Sequence, residues 1–249
     1  MAAGERYWEI DTLRGIAVVT MIAFHAVFDV WFFGILPVNP SEGFWRMLAY
    51  FTASTFIFLV GLSLTISHAR AVQRFGGGML YTRYLRRGLL LFCCGLAITG
   101  ITWLFFRPGF IVFGILHFIG TSVLVAPFFL RFRTFNLMAG AAAILAGFAL
   151  AGVEGPIWLL WLGLRPASFY SLDYIPLLPW FGLVLVGMYS GSLLYPEGRR
   201  RLSIRTEAPA FFGPLILLGR HSLAIYLIHQ PVILLVLLAL APDNLLSFW

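Results

Sequence analysis

The sequence predicts an all-α membrane protein, a bundle of seven transmembrane helices with the N-terminus inside and the C-terminus outside. Three observations predict it. The 249 residues are 61% hydrophobic and 11% charged, with a mean hydropathy of +0.92, against about 25% charged residues in soluble domains. Apolar runs recur at 13–33, 44–67, 89–106, 110–132, 135–152, 177–194 and 218–241, each near the ~20 residues that cross a bilayer core. No segment alternates with period two, and in lipid only helices or closed barrels satisfy the backbone.

Orientation follows from charge. All 17 basic residues are arginine. With the N-terminus inside, only Arg46, Arg107 and Arg165 fall outside, a strong positive-inside bias. The net charge of +7 therefore reflects topology, and no nucleic-acid partner is expected.

The N-terminal residues lack the basic, apolar and small-residue regions of a cleaved signal, so the first helix is expected to remain as an anchor. The second helix leads into the longest inner loop, 68–88, where the triplet Gly76–Gly78 reads as a hinge before Arg83, Arg86 and Arg87. It is no phosphate loop, because no strand precedes it and no Gly-Lys-Ser/Thr follows. The third helix holds adjacent Cys93 and Cys94, which suit neither a disulfide framework nor a metal site, and no metal is expected. "FGILHFIG" places His117 about seven residues into the fourth helix, which descends from outside. The fifth is apolar. The outer stretch 153–176 contains "IWLLWLGL", too short to span and expected at the interface or as a re-entrant piece. The sixth helix is followed by an inner loop with Arg199–Arg201. The seventh, "LGRHSLAIYLIHQPVIL", carries Tyr226, His229 and Gln230. Residues 1–249 form a single transmembrane domain without an internal repeat.

The first helix carries polar residues where lipid penalises them. Arg14 and His25 are separated by about three helical turns and share a face, with Asp11 and Asp29 on the same stripe. At ~1.5 Å per residue His25 stands ~16 Å above Arg14. Arg14 is placed to snorkel to headgroups, but His25 is too deep to do so. Asp29, four residues on, is positioned to orient the imidazole and fix its tautomer. Helical rise puts His25, His117 and His229 at nearly one level, which argues for an enclosed polar chamber.

Such a chamber fits several functions. Proton-coupled transport uses intramembrane His and Asp, although transporters usually show repeats or interrupted helix pairs. A non-catalytic scaffold would use the same residues as core hydrogen-bonding groups. An enzyme would use neutral His25 as general base, inner arginines for a phosphorylated donor, and an outer path past Asp173, Tyr174 and Trp180 for an acceptor.

"EIDTLRGIAVVTMIAFHAVFD", "FIVFGILHFIG", "PLLPWFGLVLVGMYSG" and "LGRHSLAIYLIHQPVI", in that order from about Arg6 to Pro231, resemble the membrane acyltransferase family named for heparan-α-glucosaminide N-acetyltransferase. The spacing of Arg14 and His25 is also similar to the signature of the acyltransferase-3 group. The resemblance implies transfer of an acetyl or other acyl group from cytoplasmic acyl-CoA to an extracytoplasmic sugar amine or hydroxyl. Lysosomal members are associated with a catalytic histidine in the loop after the first helix; here "GILPVNPSEG" (34–43) has none, so either His25 does that work or the activity is lost or changed in this chain.

The combined expectation is a plasma-membrane O- or N-acetyltransferase using acetyl-CoA or another acyl-CoA as co-substrate, with His25 and Asp29 catalytic. Arg14, Arg83, Arg86, Arg87 and Arg220 are expected to bind the donor, and His117, Asp173, Trp180, Tyr226, His229 and Gln230 to line the acceptor chamber. His229 or Gln230 would place the acyl carbonyl. Membrane lipids and a glycan-like or other small acceptor are the expected partners, and a homodimer is compatible with the sequence.

Overall fold

The computed structural model describes residues 6–76 and 80–246; Gly77 and Gly78 of the expected hinge lie outside them. The apolar segments become helices: α1 (Trp8–Phe32), α2 (Gly43–Phe75), α3 (Leu80–Phe105), α4 (Ile115–Val125), α5 (Arg133–Ala149), α6 (Leu177–Leu194), α7 (Gly213–Arg220), α8 (Ser222–Leu240) and α9 (Pro242–Leu246). Among the described residues no strand forms; two isolated parallel bridges join Phe113 to Tyr174 and Glu154 to Arg165. Helices α1, α2, α3, α6 and α8 are long and apolar enough to cross a membrane. The segments around α4 and α5 are apolar but shorter.

Several boundaries differ from those expected. The fourth helix starts at Ile115 rather than 110, because the preceding residues bond to an outer loop: Leu172 donates its N–H to Gly109 and Ile175 to Phe113. The expected helix 218–241 is divided at His221, whose φ of −105° and ψ of 16° leave the helical region. The His221 N–H bonds back to the carbonyls of Leu217 and Leu218, closing α7 in a tight turn before α8 begins.

The chain divides into two compact units, one of residues 1–56 with 204–249 and the other of 57–203. In the first, α1 packs on α7 and α8. Glu9 and Asp11 occupy the first turn of α1, the end where the helix dipole favours negative charge. A Cβ on Gly15 would overlap the Leu215 carbonyl, and one on Gly219 would overlap the Asp11 carbonyl. The two backbones therefore meet directly, the contact that small residues provide where lipid supplies no hydrophobic drive between helices. Thr52 of α2 donates to the Thr20 hydroxyl of α1 at 2.8 Å, and Asn244 Nδ2 donates to the Phe33 carbonyl.

Within the second unit α3 packs on α4 and α5 on α6. Gly61 and Gly187 let α2 and α6 approach just as closely, against the carbonyls of Val184 and Phe58.

Candidate active site

The polar stripe of α1 resolves into two clusters within the first unit. At its lower end Asp11 is 2% exposed and accepts from two arginines: Arg14 Nη1 at 3.0 Å and Arg220 Nε at 3.4 Å. Two of the five arginines expected at the donor, Arg14 and Arg220, are thus tied to one buried carboxylate. Arg14 is the i+3 neighbour of Asp11, a spacing visible in sequence; Arg220 is 209 residues away, and nothing local marks it.

The upper cluster joins α1 to α8. His25 places Nδ1 2.9 Å from the Met21 carbonyl. A carbonyl can only accept, so Nδ1 carries the proton, and in the neutral ring Nε2 presents a lone pair. The orienting contact expected from Asp29 is made by Met21 instead. Helical side chains lean toward the N-terminus, which carries the His25 ring toward Met21 and away from Asp29. Asp29 is 3% exposed and accepts from Gln230 Nε2 at 3.2 Å.

His229 repeats the arrangement. Its Nδ1 lies 2.6 Å from the Tyr226 carbonyl, so neutral His229 also presents an accepting Nε2. In that form it cannot donate to an acyl carbonyl, the role expected of it. The rings of His25 and His229 are 4.8 Å apart between centroids at 71°, and Tyr226 lies 5.5 Å from His229. His229 Nε2, Asp29 Oδ2 and Gln230 Oε1 are buried without a hydrogen-bond partner. Pro231, inside α8, follows directly and has no N–H to give the preceding turn. Three buried acceptor atoms on α1 and α8 therefore have no donor within hydrogen-bond reach. Nothing in sequence marks Met21, whose carbonyl sets the His25 tautomer; Tyr226 is expected at the chamber, but nothing marks its carbonyl as the partner of His229.

The remaining expected site residues lie in the second unit. His117, 2% exposed, packs its ring against Phe92 and Phe113. Thr99 gives its hydroxyl proton to the Ile111 carbonyl at 2.6 Å and so accepts from His117 Nε2 at 3.4 Å. The His117 tautomer is therefore opposite to that of the other two, with Nδ1 buried and unpartnered beside Gly95. Asp173 caps α4: its Oδ2 accepts the Ile115 N–H at 3.0 Å, and Gly114 leaves room for it. Burial pushes the Asp173 carboxyl up to about 6, the Ile115 N–H opposing. Burial likewise raises the Tyr174 phenol, with Arg165 opposing, and its hydroxyl donates to the Leu160 carbonyl. Trp180 lies on α6.

Arg83, Arg86 and Arg87 are exposed on the first turns of α3. Arg83 stacks over Phe75, 4.5 Å from the ring centroid. Between them Tyr84 is buried and shares a 2.9 Å hydrogen bond with His68 Nδ1. Among the described residues no group of three or more His, Cys, Asp or Glu could hold a metal.

A family profile described as "Heparan-alpha-glucosaminide N-acetyltransferase, catalytic" matches residues 6–231. The chain belongs to that family. Membership identifies it as a membrane acetyltransferase, in keeping with the five apolar helices. The matched residues include both clusters of α1 and the α8 residues His229 and Gln230. No curated protein and no solved structure matches the chain.

Proposed function

We propose that this family member moves an acetyl or other acyl group from cytoplasmic acyl-CoA to an extracytoplasmic sugar amine or hydroxyl, with His25 as general base. The observation that carries the reading is the lock of His25 Nδ1 on the Met21 carbonyl. It leaves Nε2 as a proton acceptor on a ring that touches His229, whose own Nε2 is buried without a donor, and the N–H or O–H of a nucleophile would supply one. The nucleophile attacks the thioester carbonyl and its proton passes to His25. The carbon–sulfur bond breaks and the sulfur leaves as thiolate. Asp29 and Gln230 would hold the acceptor.

Exposed Arg83, Arg86 and Arg87 would bind the donor phosphates, for which guanidinium groups form charge-assisted contacts. Arg14 and Arg220, already paired with Asp11, would hold α1 and α7 at the donor end. Asp173 and Trp180 would face the acceptor path, with His117 fixing α4. The topology in this reading has seven spans, N-terminus inside and C-terminus outside, in one plasma-membrane domain. The segments around α4 and α5 would complete the count beside the longer helices.

The test is His25→Ala in purified protein supplied with radiolabelled acetyl-CoA and a panel of amino sugars and sugar alcohols. Removal of a general base costs ~10²–10⁴ in rate, so transfer should be lost while acetyl-CoA still binds. A folded, donor-bound His25→Ala protein with wild-type transfer would overturn the mechanism. Arg86→Gln with Arg87→Gln should weaken acetyl-CoA binding and leave membrane insertion intact.

A further inference from the structure

We propose that His25 and His229 hold a single proton between them, and that this pair, not His25 alone, receives the proton released in acyl transfer. The inference rests on the acyltransferase reading above. Each ring has committed Nδ1 to a carbonyl of its own helix, Met21 on α1 and Tyr226 on α8. Each therefore reaches its surroundings through Nε2 alone. The rings are in direct contact, 4.8 Å between centroids and edge to face.

Two neutral rings in this state offer two acceptors and no donor. The cost is visible at His229, whose Nε2 is buried without a partner. One added proton supplies the missing donor, because it turns one Nε2 into an N–H that a rotation of the contacting, edge-to-face rings would bring to the other. A second proton would bring two imidazolium cations into contact away from water, which like-charge repulsion disfavours. The pair's capacity is one proton.

The titratable and charged groups around the pair are few. On α1, Asp29 accepts from Gln230 at Oδ1 and keeps Oδ2 without a partner. On α8, Tyr226 lies beside His229. On α7, Arg220 is bound to Asp11 near the start of α1. On the part of α2 in this unit, Arg46 lies over Tyr50.

In the reaction the nucleophile's new bond to the acyl carbon forms as the carbon–sulfur bond breaks, and the electron pair leaves with sulfur. The proton from the nucleophile enters the pair, and the same proton then converts the thiolate to the thiol. The pair ends as it began. His229 is on this reading a second catalytic base rather than a group that places the acyl carbonyl.

The test is nuclear magnetic resonance of the full chain in nanodiscs, with only the histidine nitrogens labelled. The chain has five histidines, so His25 and His229 can be assigned by substitution. Titration from about pH 8.5 to about pH 5 spans the ordinary imidazole range. In the wild type, the signals of the two rings should move together through one transition that takes up one proton. In His229→Asn the His25 midpoint should shift by about one pH unit or more, the scale of a coupled pair, while its Nδ1 keeps its hydrogen-bonded proton signal. Rings that titrate apart, each to a full cation, would overturn the pair from the wild type alone, and an unmoved His25 midpoint in His229→Asn would do the same. The two readings fail separately. Independent titration with transfer lost in His25→Ala overturns the pair and leaves the base; joint titration with transfer intact in His25→Ala overturns the pair's part in acyl transfer.

Discussion

Asp11→Asn separates a structural role for Arg14 and Arg220 from a donor-binding one. Asp11 is 2% exposed, while Arg14 is 27% and Arg220 49% exposed. A shielded hydrogen bond to a charged group contributes about 1.5–3 kcal/mol and an exposed ion pair about 0–1 kcal/mol. The Arg14 contact, at 3.0 Å, belongs at the low end of the first range, about 1.5 kcal/mol. The longer Arg220 contact belongs in the second, about 0.5 kcal/mol. Their loss should cost about 2 kcal/mol, which for a chain of this size lowers Tm by about 4–8 °C. Thermal unfolding in detergent reads this directly. Arg14→Gln alone should take most of the same loss, and in the Asp11→Asn background it should add less than about 0.5 kcal/mol, because the two substitutions break one contact. An Asp11→Asn protein with an unchanged Tm, or full additivity of the two changes, would refute the reasoning and return Arg14 to the donor.

Gly219→Ala places a methyl on the Asp11 backbone carbonyl, so its yield of monodisperse protein should collapse; Gly100→Ala, which meets open space, should be tolerated. Asp173 has its carboxyl raised from 3.8 to about 6 by burial. Its folded state binds the proton more tightly than its unfolded state, so its contribution to stability is full below about 3.8 and is lost as pH rises through about 6. Asp173→Asn keeps an oxygen for the Ile115 N–H and should flatten the dependence of Tm on pH in that window. An unchanged slope would show that another group titrates there. Single cysteines at Thr206 and Asn244, in a chain lacking Cys93 and Cys94, should label from opposite faces of sealed vesicles; labelling from one face would rule out the proposed topology.

The polar stripe was legible because a helix repeats every 3.6 residues: Asp11, Arg14, His25 and Asp29 follow from spacing alone. So did α8 as the source of His229 and Gln230. What the stripe touches was not legible. Gln230 meets Asp29 across 201 residues and Arg220 meets Asp11 across 209, and no local pattern encodes either contact. The imidazole tautomers depend on backbone carbonyls, which every residue possesses, so Met21 is like any other apolar position in sequence, and Tyr226, though expected at the chamber, shows no sign that its carbonyl makes the contact. Asp173 was read as an acceptor-path residue because it is polar and outer; its bond to Ile115 makes it the cap of α4. The division at His221 was hidden because hydropathy continues through it while the backbone turns.

The first unit draws on both early and late parts of the chain, and this has a consequence for biosynthesis. Asp29 and Gln230 are 201 residues apart, an interval of about 10–40 s at translation rates of ~5–20 residues per second. For that time α1 resides in the membrane with Asp29 and His25 lacking the α8 residues that later neighbour them. Helix α7, eight residues long and so only about 12 Å at 1.5 Å per residue, cannot span the bilayer alone and docks on an α1 that is already in place. A nascent chain halted before α7 should therefore hold α1 in an exchangeable state, open to the translocation machinery or to a foreign helix, and the contacts of His25 and Asp29 with α8 should come into being only in the last moments of synthesis.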